Sequence, residues 1–548
     1  MRITPVLFLL YFVLFPSTVS ARQVTPTVAY IYSVFSRLAS NDTFMLPAGT
    51  YYLSSRAQLS DLVNVAVISR DGPGKAVIIG TTPASNAESI VFEKCSTVSI
   101  IGIEIRQSGD NILKFGGCTN VLVKDCYIHN ASNQGDCIKA TQHGADNTMT
   151  SNITIQGCII HSPGHTSSTE FEECFDMMYT RNALITDCWF FLTDTGGNQL
   201  SYPKGGCEDI IYERCLFGPQ STIAWDPAVG GGVASVTSGF NVERETIRSC
   251  VFFDCHSGAV GSFGSKDFWI YNNTFINCAH RTDRSPQYLG IIHVKHGGGA
   301  AANSENFYIY NNAFYNNQQK NVYIFCTQGV TALNVNHDYN AYYNTGSILT
   351  TVDYNPATEG NRVTANPYAA GAPDIPALPN VTISSHTWAQ LDSLKKLIIR
   401  QCRTAAGASV IDHGTAANAT PYPDVTADIE GLSSPYNNVY DIGAYEYDPS
   451  VTVEQNPPAA QTPGIAVWPN PFNPVVTIAV NGQRPTGKGT TLCSLYDARG
   501  KLVKKVFAIR AGSGAYLTWD ATGMASGVYT IRTVIDNMSY SKRIILTR

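Results

Sequence analysis

The sequence predicts an all-β protein: a long solenoid of parallel strands followed by a small β-sandwich. Three observations carry that expectation. One template recurs at 121–128 (VLVKDCYI), 153–160 (ITIQGCII), 183–190 (ALITDCWF), 210–217 (IIYERCLF), 245–252 (ETIRSCVF), 268–275 (FWIYNNTF) and 307–314 (FYIYNNAF). A further copy at 98–105 (VSIIGIEI) fits with Ile103 in the cysteine position. Each copy alternates apolar and polar residues, then meets a polar pair and a fixed slot held by Cys126, Cys158, Cys188, Cys215, Cys250, Asn273 and Asn312. Period-two alternation makes each copy a strand, and slots 23–39 residues apart give the period of a solenoid. The second observation is that the last eighty-odd residues read as regularly spaced short strands with Gly and Pro turns, the pattern of a sandwich. The third is size and charge. A chain of 548 residues is too long for one compact core, and only 14% of it is charged, with a net charge of −5. That balance gives no reason to expect nucleic acid or anionic membrane as a partner.

In chain order, 1–21 reads as a secretory signal peptide. Arg2 supplies the positive start, 6–15 the apolar stretch and Val19-Ser20-Ala21 the small-residue cleavage site. The apolar run is too short for a membrane anchor. Residues 27–40 have helical spacing at Val28, Ile31, Val34, Phe35 and Leu38, which predicts a helix capping the open end of the first coil. The segment 44–53 (FMLPAGTYYL) reads as strand, turn, strand. Coils run to about Tyr342, within a solenoid domain spanning 22–450 with a cap at each end. An amphipathic helix is expected within 387–403. The proline-rich stretch 451–464 is a linker, and 465–548 is the terminal sandwich.

Fifteen cysteines in an exported chain would ordinarily suggest disulfides. Here five fill one repeat slot, and Cys95, Cys118 and Cys207 fill another, each three residues before its strand copy. Stacked in a solenoid core they act as small apolar fillers, so buried free thiols are expected. No CxxC metal spacing occurs.

Residues 27–447 resemble the right-handed parallel β-helix superfamily, which includes polysaccharide lyases, polygalacturonases and proteins without known activity. The pairing of SVIDHG at 409–414 with YDIGAYEY at 440–447 resembles the closing segment of many bacterial parallel β-helix proteins, and implies a C-terminal cap. The tail resembles the sorting domain of type IX secretion cargo, on Pro469-Asn470-Pro471, LYDARGKLV, Gly527-Val528-Tyr529 and the basic, apolar terminus. An immunoglobulin-like sandwich at the C-terminus, the secretion machinery as a partner and delivery to the medium or the outer cell surface follow from that resemblance. The chain is expected to act as a monomer.

Four features could carry chemistry. Asp136 and the acidic run Glu172, Glu173 and Asp176 fall at matching places in adjacent coils, Cys137 over Cys174. Carboxylates stacked this closely repel unless a cation bridges them, and an oxygen-lined site of this kind suits Ca²⁺. The alternative is a solvated acidic edge. One coil later, Lys204 ends a segment (GNQLSYPKGG). An acidic cluster, a strand, then a Gly-Asn segment ending in Lys-Gly-Gly resembles family nine pectate lyases. The resemblance implies Ca²⁺ at the acidic cluster and Lys204 as the base that abstracts a proton. Glutamates stand here where that family has aspartates, and Tyr202-Pro203 precedes the lysine. The alternative is an exposed turn lysine. Third, GDCIKATQHG at 135–144 with Gly164-His165 resembles polygalacturonases, but only Asp136 of the expected aspartate pair is present. Fourth, the basic residues Arg281, Arg284 and Lys295, with Lys139, are candidates to grip the carboxylates of an acidic polysaccharide. The favoured expectation is Ca²⁺-assisted β-elimination on a uronate polymer. A non-catalytic glycan-binding β-helix is the alternative, and a hydrolase the third reading.

Overall fold

The computed structural model describes residues 21–23, 31–132, 135–162, 172–192, 199–220, 226–232, 239–280, 290–295, 302–316, 322–328, 334–344, 348–351, 353–368, 386–415, 425–450, 464–468, 475–481, 491–511, 514–535 and 538–547. Three parallel sheets of twelve, eleven and eleven strands make up the larger unit. Strands consecutive in sequence fall in different sheets. Thr119–Lys124 lies in the first, Tyr127–His129 in the second and Ile138–Thr141 in the third. Each pairs with its counterpart one coil on: Thr150–Gln156, Ile159–His161 and Glu173–Met178. The chain therefore winds as a parallel β-helix around one apolar core.

The polar pair before each slot has a backbone cause. Its second residue turns the chain from the first sheet to the second with positive φ, at 51–57° for Asp125, Asp187, Asn272 and Asn311. Asn and Asp tolerate this region better than other side chains. A second left-handed row opens the first-sheet strands at Asn120, Asn152 and Asn182. Its amides bond coil to coil at 3.0 Å (Asn152 to Asn120) and 3.1 Å (Asn182 to Asn152).

The slot residues form the interior ladder that the template predicts. Cys158 N–H donates to Cys188 Sγ and Cys215 N–H to Cys250 Sγ, both at 3.4 Å. The ladder passes to asparagine when Cys250 N–H donates to Asn273 Oδ1 at 3.0 Å, then runs through Asn312 to Asn340. All fifteen cysteines are free and buried. A parallel ladder of stacked rings joins Phe190, Phe217, Phe252, Phe275, Phe314 and Tyr342, with centroids 4.8–5.4 Å apart. His129 and His161 also stack, at 5.0 Å. Burial pushes the His161 ring well below the ordinary histidine range, so it is a neutral structural rung.

The ends differ from expectation. At the N-terminal end, among the described residues, Tyr32–Phe35 is helical, with Ile31, Phe35 and Leu38 buried in the core. At the other end, the helix Trp388–Gln401 forms under a Thr387–Gln390 capping box, but it and the DIGAYE segment do not close the last coil. They lie along the flank. Leu391, Leu394, Ile398 and Tyr445 pack on Tyr127, Ile159, Trp189, Leu216 and Val251 of the second sheet. Ala444 N–H donates to Thr274 Oγ1 at 2.9 Å, and Gly443 N–H to Asn311 O at 2.8 Å. The reason is the second sheet's outer face, which is apolar and must be covered. The end of the core meets Tyr354, stacked on Phe325, and Glu359, which accepts from Asn340 Nδ2 at 3.0 Å. The glycine-rich connection 218–240 contains the third-sheet strand Val229–Gly231.

The C-terminal unit is an antiparallel sandwich of seven strands. The long strand Leu502–Ala511 pairs with Thr491–Tyr496 on one side and Gly514–Asp520 on the other. Val476, Ile478, Cys493, Leu495, Trp519, Ile531 and Ile544 fill its separate core. Of the expected signal peptide (1–21) and linker (451–464), residues 1–20 and 451–463 lie outside the described residues.

Candidate functional site

Three consecutive third-sheet strands build the site: Ile138–Thr141, Glu173–Met178 and Gln199–Lys204. Ile138 and Ala140 pair with Phe175 and Met177 and point into the core, so Lys139 and its partner Asp176 point out. The next step pairs Asp176 with Tyr202 and Met178 with Lys204. Cys137 and Cys174 also lie in the core, and Asp136 and Glu173 precede them at matching places in adjacent coils. A side-chain ladder fixes them. Asp136 N–H donates to Asn111 Oδ1 at 3.0 Å, and Glu173 N–H donates to Asp136 Oδ1 at 2.9 Å.

The structure thus brings Asp136, Glu173 and Asp176 together, with one oxygen of each within 4.8 Å of the others and all three buried. Two lysines close over them. Lys139 Nζ reaches Asp136 Oδ2 at 3.0 Å and Asp176 Oδ2 at 2.6 Å. Lys204 Nζ reaches Glu173 Oε1 at 2.8 Å and Asp176 Oδ1 at 3.1 Å. The lysine side chains keep 26% and 15% of their surface exposed, against 1–4% for the carboxylates, so the ammoniums form the outer lid of the cluster.

Electrostatics follow from this packing. Burial would lower both lysines, but the facing carboxylates outweigh it and hold each ammonium above the ordinary lysine range. Burial would raise Asp176, but Lys204 and Lys139 outweigh it and hold the carboxyl below the ordinary range. Burial dominates at Glu173 and pushes it well above the ordinary range. Three carboxyl groups thus face two ammoniums. A proton on Glu173, or a further cation, balances the remaining charge.

Glu172 is also buried, but it is not among the three grouped carboxylates. Lys295 sits apart, three coils beyond Lys204 on the same face, paired to Asp226 at 3.0 Å and over the Phe263 ring at 4.9 Å. Arg281 and Arg284 lie outside the described residues, as do Gly164 and His165. The residue before Asp136 has a steric role. A Cβ on Gly135 would lie 2.2 Å from the Asp110 carbonyl oxygen, so no second aspartate fits there.

Sequence reasoning missed four members of this face: Asn111, Tyr202, Asp226 and Lys114. Asn111 could have been found as the residue one coil below Asp136 in the same slot. Lys114 lies directly in register with Lys139 and pairs with Glu88 at 2.9 Å. Gln199 Nε2 donates to Asp226 Oδ2 at 3.2 Å and so links the triad's row to Lys295. Tyr202 is buried against Gly232, where a Cβ would meet its ring at 2.1 Å.

The donor chemistry fits a hard cation. Carboxylate oxygens spaced up to 4.8 Å apart match opposite positions around Ca²⁺, which bonds oxygen at about 2.3–2.6 Å.

Comparison with known proteins adds the following. No curated protein matches the chain significantly. Among solved structures, pectate lyase Pel9A aligns at 11% identity and TM-score 0.43, over 78% of this chain and 98% of its own. A PL6-family alginate lyase aligns at 12% identity and TM-score 0.42, over 75% and 60%. The endo-xylogalacturonan hydrolase of Aspergillus tubingensis aligns at 10% identity and TM-score 0.36, over 63% and 99%. At the C-terminus, residues 466–547 match the family described as "Secretion system C-terminal sorting domain", and the antiparallel sandwich belongs to that family.

Proposed function

We propose that the β-helix is a polysaccharide lyase that cleaves a uronate-containing polymer by β-elimination, at the cluster of Asp136, Glu173, Asp176 and Lys204. The observation that carries this reading is the meeting of a buried carboxylate triad and a partly exposed lysine on the outer face of one sheet, across three adjacent coils. Elimination moves the C5 proton to a base, forms the C4–C5 double bond and breaks the C4–O glycosidic bond, whose electron pair leaves with the oxygen. Asp136, Glu173 and Asp176 would hold Ca²⁺, which supplies Lewis-acid neutralisation of the substrate carboxylate beside that proton.

Lys204 is the base in this reading, and a base must be unprotonated. Its ammonium is now held by Glu173 and Asp176 against the opposing effect of burial. Once the triad's negative field is neutralised, burial is left to lower its proton affinity. Lys139 and Lys295 lie along the same face to contact substrate carboxylates. The tail fits delivery by type IX secretion to the cell surface or the medium, after export by the N-terminal signal.

The test is ultraviolet absorbance of unsaturated products from a panel of uronate polymers, with Ca²⁺ and with chelator. Activity should require the metal, and Lys204→Ala should lose about 10²-fold or more while staying folded. Polymer binding without product would instead indicate a glycan-binding surface protein. Reducing ends without the conjugated product would indicate a hydrolase, a reading weakened by the steric role of Gly135.

A further inference from the structure

We propose that Lys139 is a built-in counter-cation. It competes with a divalent metal ion for Asp136, Glu173 and Asp176, and metal binding releases it toward solvent. The inference rests on the metal-binding part of the functional reading above and adds a residue that sets when the site loads.

The geometry makes the competition direct. The Lys139 ammonium spans two of the three carboxylates, at 3.0 and 2.6 Å, and its Asp176 contact is the shortest ion pair in the cluster. Lys204 spans the remaining carboxylate and the other oxygen of Asp176. Every carboxylate of the triad is therefore already served by an internal cation. An ammonium and a dication a few ångströms apart in a partly buried site repel strongly, so a metal ion on Asp176 displaces at least one of the two lysines that now contact it. Lys139 is the group that can leave. Its side chain is 26% exposed, against 15% for Lys204, and carried on a flexible stem.

Two consequences follow. Four ion pairs, with a proton on Glu173, hold the metal-free cluster together, so the protein folds without a divalent ion. Metal affinity is reduced, because binding must first break two ion pairs. Lys114 provides an internal control: it stands in the same outward row one coil earlier, but its partner is Glu88 rather than the triad.

The experiment compares the mature full-length chain with Lys139→Met, Lys139→Gln, Lys139→Arg and Lys114→Met. Ca²⁺ affinity is measured by calorimetry, and thermal unfolding is followed in chelator and in Ca²⁺. Lys139→Met and Lys139→Gln should bind Ca²⁺ at least tenfold more tightly than wild type. Their midpoints should fall in chelator and recover with the metal. Lys139→Arg, which keeps the charge, and Lys114→Met should bind as wild type does. Should the neutral variants not fold in chelator, refolding with Ca²⁺ decides: recovery with the metal alone supports competition, and no recovery overturns it. Equal or weaker Ca²⁺ binding by the neutral variants overturns it, as does an equal gain in Lys114→Met. Tighter binding without lyase activity in wild type would sink the elimination reading and leave this one standing.

Discussion

At the residue scale, the interior is specified by ladders whose rungs are not interchangeable. Asn312 donates through Nδ2 to Ile270 O at 2.8 Å and to Asn340 Oδ1 at 3.1 Å, and its Oδ1 accepts from Asn273. Truncating it strands buried donors and acceptors on both neighbouring coils, at about 1–3 kcal/mol for each group left unpaired. Asn312→Ala should therefore destabilise by about 2–4 kcal/mol, measured by denaturant unfolding of the β-helix. A thiol rung such as Cys158, truncated to Ala, should cost less, because it loses a weak donor and little volume. Glu245 is the exception among the inward residues. It stands in the row of Ile210 and Phe268, fully buried, and neither oxygen makes a hydrogen bond of good geometry among the described residues. Burial pushes its carboxyl well above the ordinary range. Glu245→Leu should stabilise the protein at pH 7 by about 1–3 kcal/mol, and an unchanged or lower midpoint would show that this carboxyl has a role the fold depends on.

At the element scale, the flank-covering segment 425–447 is held by buried carboxyl groups that tie its own loops. Asp428 accepts from the amides of Glu430, Leu432 and Glu446, and Asp441 from those of Asp412 and Tyr447. Glu446 accepts from Ser434 Oγ and the amides of Tyr436 and Asp441. Burial raises Asp428 and Asp441 to about 6 and Glu446 to about 8. The docked segment thus binds protons more tightly than the undocked one, so its stability is greatest below about pH 4. That contribution falls as pH rises toward 8. Hydrogen exchange, corrected for intrinsic rates, should show protection of 425–447 declining between pH 5 and 8 while first-sheet strands hold theirs. The sequence signalled this element through its DIGAYE motif, and the helix Trp388–Gln401 before it through apolar spacing, but not the position of either. Placement on the flank depends on an apolar outer face built by Tyr127, Ile159, Trp189, Leu216 and Val251, residues 124 positions apart at the extremes.

At the scale of the whole molecule, the β-helix and the sandwich have separate apolar cores. Units with their own cores fold independently when few contacts cross between them. Deleting 465–548 should leave the β-helix with its thermal midpoint, measured by circular dichroism, and abolish delivery to the cell surface. Surface display of the truncated chain would refute the sorting role of the matched domain.

The repeat, the strands, the free-thiol ladder and the pairing of Asp136 with Glu173 were all legible in the sequence. These all follow from local alternation and a fixed slot, which set coil register without reference to distant residues. It also held the tail's identity, because the sorting domain carries its motifs in one continuous segment. Only the tertiary structure decided what neutralises the acidic cluster. The carboxylates are legible in the sequence, and their mutual repulsion called for an external cation. The fold supplies two internal ones, because Lys139 shares an outward row with Asp176 and Lys204 follows from the next coil. Which oxygens a lysine reaches depends on the corner before each strand and the depth of its neighbours. Those are set by packing across three coils, and no single stretch of sequence contains them.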